Sequence, residues 1–240
     1  MKFNIYAACD IGLKRKNNED MILINNEFLR DQAREFLVST KGKTAAVFAA
    51  ADGMGGMERG EEASEQVLRS LASFVEPLPP GLNNEELDHV FKVFTSETHA
   101  KIPRDSGSTL AGLLAYEDRL YRFHAGDSRL YLYRKKGLSR LTIDHSLKEA
   151  GGQSGAPSNV ITNSFGAGGT AFLEFAPLEP PRRGDAFLLS SDGLHDLVSS
   201  EEIEKHMGRG KQTVEKLIDL AKKYGGKDNI SVVNIEVVEV

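Results

Sequence analysis

Residues 45–51, Ala-Ala-Val-Phe-Ala-Ala-Ala, form an uncharged run that stops at Asp52, and Asp52 is followed at once by Gly53-Met54-Gly55-Gly56. A run of this kind, from residue 43 to 51, short, apolar and ending abruptly, has the profile of a buried strand. Any fold of this chain must therefore bury the strand and still bring a carboxylate to its end. The arrangement recurs. Asp192 follows an apolar stretch at 185–190 and precedes Gly193. Asp127 follows the stretch 120–125, inside Gly126-Asp127-Ser128-Arg129. Asp228 lies in Gly225-Gly226-Lys227-Asp228-Asn229, before the last apolar segment, and Glu19 and Asp20 precede 21–24. Each acid stands at the border between an apolar strand and a turn.

Taken singly, each acid is ordinary turn chemistry, because Asp and Gly are the default turn residues. Taken together they suggest more. Several carboxylates at one sheet edge repel one another unless cations hold them. Oxygen-only donors suit Mg²⁺ or Mn²⁺, which retain waters and take few carboxylates each. The histidines, His89, His99, His124, His145, His195 and His206, show no HxH or HExxH spacing, so the spacing supports no histidine-bound zinc. Arg15, in a basic segment just before Asn18-Glu19-Asp20, is either a solvated surface residue or the cation that a phosphoryl group would need. No serine has a Gly-x-Ser-x-Gly context, and Gly55-Gly56 lacks the Lys-Ser/Thr of a P-loop.

The remaining pattern points to α+β. Strands are expected at 3–8, 21–24, 43–51, 108–116, 120–125, 129–134, 137–141, 172–175, 185–190 and 230–238. Helices are expected at 60–74, 85–98, 199–206 with Ser200 as N-cap, and 211–224. The proline-rich stretch 76–84 reads as a helix–helix connection, and 151–169 is rich in glycine and poorly periodic. Hairpin-like groups of strands with segregated helices predict antiparallel sheets in one domain spanning 1–240. The net charge of −5 argues against a nucleic-acid partner. A single cysteine, Cys9, excludes an internal disulfide and a cysteine zinc cluster, and reads as a small apolar strand residue. With no secretory apolar region and no stretch near membrane-spanning length, the expectation is a cytoplasmic protein without a membrane contact.

In order, Gly12…Arg15-x-x-Asn18-Glu19-Asp20, Asp52-Gly53-Met54-Gly55-Gly56, Ser106-Gly107-Ser108-Thr109, Gly126-Asp127-Ser128-Arg129, Asp144-His145-Ser146, Ser191-Asp192-Gly193 and Asp228-Asn229 run nearly the whole chain. This series resembles the metal-dependent Ser/Thr protein phosphatases, the PPM or type 2C family, in its compact bacterial form. The resemblance implies two packed antiparallel β-sheets flanked by α-helices, an αββα sandwich with metals at one edge. It implies two Mn²⁺ or Mg²⁺ ions bridged by Asp52. Asp192 and Asp228 would hold the first ion. Glu19 and the Gly53 carbonyl would hold the second, with Asp20 orienting its waters. A third ion would sit at Asp127, Asp192 and Asp196, and Arg15 would clamp the phosphate. A bridging water would attack phosphorus directly, so no side-chain nucleophile is needed.

Two departures from the family pattern stand out. Met54 occupies the place of a histidine that many eukaryotic members carry, and it reads as core filler. His145 and His195 are the remaining acid candidates by motif, or else packed residues, which leaves a metal-held water to supply the proton. The flap around 146–165 is also short. The implied partners are phosphorylated Ser/Thr proteins and a Ser/Thr kinase that the chain, as a monomer, would oppose. Two other readings stay open: a phosphoprotein-binding module without turnover, and a different two-metal hydrolase such as a phosphodiesterase or nuclease.

Overall fold

In the computed structural model, residues 1–55, 59–151 and 160–240 are described; Gly56 of the Asp52–Gly56 motif and the centre of the 146–165 flap lie outside them. The chain runs β1 (Lys2–Asp10), β2 (Met21–Ile24), β3 (Glu27–Leu29), β4 (Gln32–Ser39), β5 (Ala45–Ala51), β6 (Gly53–Gly55), α1 (Arg59–Val75) and α2 (Asn84–Lys101). It continues with β7 (Ser106–Ser108), β8 (Leu110–Tyr116), β9 (Arg119–Ala125), β10 (Arg129–Arg134), β11 (Gly137–Arg140), β12 (Phe165–Gly166), β13 (Glu174–Pro177) and β14 (Ala186–Ser190). It closes with α3 (Asp192–His195), α4 (Ser200–His206), α5 (Lys211–Lys223) and β15 (Ile230–Glu239).

Two six-stranded sheets, in the orders β11-β10-β14-β15-β1-β4 and β13-β9-β8-β5-β2-β3, form the body. Successive residues of a strand face opposite sides, and β5 shows what that demands. Ala46, Phe48 and Ala50 pack between the sheets against Phe3, Ile5 and Val233. Val47, Ala49 and Ala51 pack outward with Val67, Leu71 and Phe91 of α1 and α2. Both faces are covered, so the run cannot alternate with polar residues. The first sheet is covered in the same way by Leu194, Ile203, Val214 and Leu217 of α3, α4 and α5. The layers are thus αββα, as the resemblance implied. Among the described residues, no helix is long and apolar enough to cross a membrane.

Several differences have physical reasons. A third, three-stranded sheet, β12-β7-β6, sits beside the two large ones. Strand β4 was not foreseen because it lies at a sheet edge and is mostly exposed on both faces, so no apolar pattern marks it. The expected strand at 172–175 begins only at Glu174, which pairs with His124; Phe172 lies before the ladder and is exposed. Helix α4 is capped by Ser199, not Ser200, because Ser199 Oγ accepts from the Glu202 amide. Helix α2 starts at a capping box in which Asn83 accepts from the Glu85 and Glu86 amides and Glu86 accepts from the Asn83 amide.

Candidate metal centre

The acids meet because three chain reversals are fastened to one another. After β5 the chain leaves its sheet at Asp52 and enters β6. Thr109, which precedes β8, holds this corner: its Oγ1 accepts from the Asp52 amide at 3.0 Å and its own amide donates to the Asp52 carbonyl at 2.9 Å. The next residue must be glycine, since a Cβ on Gly53 would collide with the Gly60 carbonyl and stand 2.7 Å from the Glu19 carbonyl.

The Glu19–Asp20 turn is fastened from the far end of the chain. Asn229 accepts from the Glu19 amide at 2.9 Å and donates to the carbonyls of Ile11 and Asn17. Asn18 accepts from the Asp20 amide and donates to Asp31. Ser191 Oγ donates to Asp20 Oδ2 at 2.7 Å and accepts from the Ser231 amide. Ser64 Oγ donates to the Glu19 carbonyl at 2.6 Å, and Arg30 donates to the Asp20 carbonyl. Cys9 lies behind this turn, and burial pushes its thiol up to about 12, so it stays a neutral packing group.

The result is a cleft of about 280 Å³ lined by Arg15, Glu19, Asp52, Gly53, Met54, Gly55, Asp127, Ile161, Asp192 and Asp228. Asp20, 1 % exposed, stands behind it, and Asp196, exposed just after α3, lies near enough to Asp127 and Asp192 for its charge to raise both. Arg15 lies at the rim and donates to Asp228 Oδ2 at 2.6 Å, with Glu19 at 3.7 Å. Burial and crowding raise several of these acids above the ordinary carboxylate range. Burial, with Asp127, Asp228 and Asp20 nearby, raises Asp192 to about 8. Burial raises Asp20 and Asp127 to about 6 each. Asp52 is pushed well above the carboxylate range by burial and then by Asp20, Asp192 and Asp127, and Glu19 is raised chiefly by burial.

One oxygen each of Asp20, Asp127 and Asp192 is buried without a hydrogen-bond partner. Orphaned acceptors of this kind are rare in folded proteins. The donors are all oxygen, which suits a hard divalent cation. The residues therefore fit the ions that the resemblance implied. Neither acid candidate lines the cleft: His195 is bonded to Ser190 Oγ at 3.0 Å, with burial holding it well below its ordinary range, and His145 is bonded to Gly126, Asn163 and Glu174. Sequence reasoning quoted Ser191, Thr109 and Asn229 within motifs but gave them no task. For Ser191 and Asn229 the available signal was their place next to Asp192 and Asp228, and for Thr109 no neighbouring acid gave one.

Buried carboxylates that meet at one edge between two packed sheets, with oxygen donors and an arginine at the mouth, define a divalent-metal centre suited to phosphoryl chemistry. The chain belongs to the protein phosphatase 2C family, whose family model matches residues 22–229. It is 32% identical over 250 residues to the serine/threonine protein phosphatase PstP of Mycobacterium tuberculosis, covering 98% of this chain and 45% of that protein. Thus the chain spans about half of that relative. It is 30% identical over 255 residues to the protein phosphatase PhpP of Streptococcus pneumoniae, covering 95% of each. A crystal structure of the catalytic domain of PstP in complex with two manganese ions superposes with a TM-score of 0.75 at 31% identity, covering all of both chains.

Proposed function

We propose that this chain, as one domain over 1–240, is a Mn²⁺- or Mg²⁺-dependent phosphatase that hydrolyses phosphoserine and phosphothreonine in proteins. In this reading it acts as a cytoplasmic monomer opposing a Ser/Thr kinase. The observation that carries the reading is the set of buried acids with bare oxygens around one cleft beside Arg15. Asp52 would bridge two ions, with Asp192 and Asp228 on the first and Glu19 and the Gly53 carbonyl on the second. Asp127, Asp192 and Asp196 would hold a third. Bound ions supply positive charge for the phosphate oxygens and lower the pKa of a water that can attack phosphorus.

The rest falls to the chain. Arg15, half-exposed at the rim, can turn its planar guanidinium from Asp228 to two phosphate oxygens. Asp20, held by Ser191, keeps a free acceptor for water behind the ligands. Met54 cannot donate a proton, the described lining holds no histidine or lysine, and carboxyls that hold ions would be ionised, so the departing Ser or Thr oxygen would take its proton from water. That lining holds no serine, threonine or cysteine, and its carboxylates would be engaged as ion ligands, which agrees with direct attack by water.

The test is hydrolysis of a phosphothreonine peptide after dialysis against EDTA, with metal added back. Mn²⁺ should restore turnover and Ca²⁺ should not, since calcium prefers more ligands at longer distance. Undiminished turnover in excess EDTA would overturn the metal mechanism. Phosphopeptide binding without turnover in Mn²⁺ would identify a binding module, and faster cleavage of a phosphodiester would identify another two-metal hydrolase.

A further inference from the structure

The motif Asp144-His145-Ser146 has no part in the mechanism above, yet it grips both sides of Asp127. On one side the Arg129 guanidinium is bidentate on Asp144, with Nε at 2.9 Å from Oδ1 and Nη2 at 2.5 Å from Oδ2. On the other, Gly126 and His145 exchange two hydrogen bonds. The His145 amide donates to the Gly126 carbonyl at 2.9 Å, and the Gly126 amide donates to His145 Nδ1 at 3.1 Å. Gly126 has φ +105°, and a Cβ there would lie 2.7 Å from Thr109 Cγ2, so the residue before Asp127 is in a conformation that no other side chain would permit.

The hydrogen bonds also decide which nitrogen of His145 carries the proton. A backbone amide can only donate, so Nδ1 is an acceptor and the neutral ring bears its proton on Nε2. Asn163 confirms the assignment. Its Oδ1 accepts from the Phe172 amide and its Nδ2 donates to the Phe172 carbonyl, so the amide cannot be reversed, and the same Nδ2 donates to His145 Nδ1 at 2.8 Å. Nε2–H then points at Glu174 Oε1, 3.3 Å away, and Glu174 is itself held by Arg122 at 3.2 Å. His124 stacks on the ring at 4.5 Å and is bonded through Nε2 to the Ile143 carbonyl.

His124, His145 and Glu174 bring ligand-type atoms within 4.8 Å of one another, a cluster that sequence spacing could not show. Yet a metal on His145 Nε2 would require a ring stripped of both protons, because Nδ1 is already an acceptor. The trio is therefore an orienting device and not an ion site.

We propose that His145 is a positioning residue that presents Asp127 to the cleft through the backbone of Gly126. The ring is locked in place by Glu174, Asn163 and His124, and its Nδ1 fixes the amide just before Asp127, whose Oδ1 is bare and buried. This rests on the reading of Asp127 as an ion ligand.

Two measurements test it. In the metal-free wild-type protein, long-range ¹H–¹⁵N spectra of the histidine rings should show His145 neutral with its proton on Nε2. Calorimetric Mn²⁺ titrations should then be compared for Asp127→Ala, His145→Ala, His145→Asn and the Asp127→Ala/His145→Ala double variant, with melting temperatures alongside. His145→Ala should weaken by about tenfold, the loss of one hydrogen bond, the same ions that Asp127→Ala removes. Tighter ions should change less than twofold. His145→Asn, whose Oδ1 can occupy the place of Nδ1, should recover most of the loss. In the Asp127→Ala background, His145→Ala should add nothing. A proton on Nδ1 overturns the proposal. So does equal behaviour of the Ala and Asn variants, or an undiminished His145→Ala effect without Asp127. If Asp127→Ala itself leaves Mn²⁺ binding unchanged, the ligand reading falls and takes the proposal with it. If Asp127→Ala weakens binding and His145→Ala does not, only the positioning role falls.

Discussion

Asp192→Asn should make the metal-free protein more stable while removing its response to metal. Burial and the neighbouring acids Asp127, Asp228 and Asp20 raise this carboxyl from 3.8 to about 8. The folded chain therefore holds the proton up to about pH 8, whereas the unfolded chain releases it near pH 4. Across that window the folded state binds more protons, so stability falls as pH rises, by at most about 1.4 kcal/mol per pH unit. At pH 7 the cost reaches an upper bound of about 4 kcal/mol. Asp192 opens on one side to the cleft, and part of its shift comes from the charges of Asp127, Asp228 and Asp20, so roughly 2 kcal/mol is the expected gain in the variant. Urea unfolding in EDTA at several values between about pH 5 and pH 8 measures it. Using the difference between variant and wild type cancels the opposite pH dependence of surface carboxylates. That difference should favour Asp192→Asn and grow with pH. Added Mn²⁺ at a hundredfold excess over its dissociation constant should stabilise the wild type by about 2.7 kcal/mol, and the variant far less. A variant no more stable than wild type at pH 8, with a difference flat in pH, would refute the reasoning.

Asp52→Asn should lower turnover by more than about a hundredfold with the fold intact, because one carboxylate would bridge both ions; steady-state kinetics with circular dichroism checks this, and turnover near wild type removes Asp52 from the centre. Arg15→Ala should lose roughly 1.5–3 kcal/mol of phosphate engagement, or about one to two decades in kcat/KM, with phosphate inhibition weakened in step; unchanged values in both would make Arg15 a surface residue. His195→Ala should cost roughly 1–3 kcal/mol of stability through the orphaned Ser190 hydroxyl and leave turnover on a phosphopeptide within about tenfold. A loss of two decades with the fold intact, absent on an aryl phosphate, would make His195 the proton donor.

The acids were legible as a set: each alone passes for turn chemistry at the border of an apolar run, but several carboxylates brought to one sheet edge repel unless cations hold them. β5 and β15 were legible for the same reason that they are central: both faces are covered. Strand β4 was not, since only Phe36 and Val38 of this edge strand touch the core and the rest is exposed, too little to mark a period. The cap at Ser199 was indistinguishable from one at Ser200 by composition, because only the geometry selects which hydroxyl meets the Glu202 amide. The fastening of the site was invisible for a deeper reason. Ser191 reaches Asp20 across 171 residues and Asn229 reaches Glu19 across 210, so nothing local marks these side chains as partners. His145 and Glu174 likewise meet only because β13 pairs with β9 and brings Glu174 opposite His124.

The pairing of β1 with β15 matters for anyone who attaches something to this protein. Asp10 lies opposite Ile230, beside the cleft, whereas Lys2 lies opposite Glu239 at the other end of the same ladder. Eight residue steps at about 3.3 Å separate the two ends, roughly 26 Å. A fluorescent reporter, a surface tether or a second enzyme attached at Lys2 or at Glu239 would thus emerge away from the phosphate mouth, leaving the cleft clear. The adjacency of Lys2 and Glu239 also suits residues 2–239 to circular permutation. A short linker can join them, and new ends can be opened at the hairpin between β10 and β11, where Lys135 and Lys136 both carry positive φ. Such a permutant should retain its Mn²⁺ affinity within about threefold. Its collapse to an unfolded chain would show that the β1–β15 seam must be laid down from free ends.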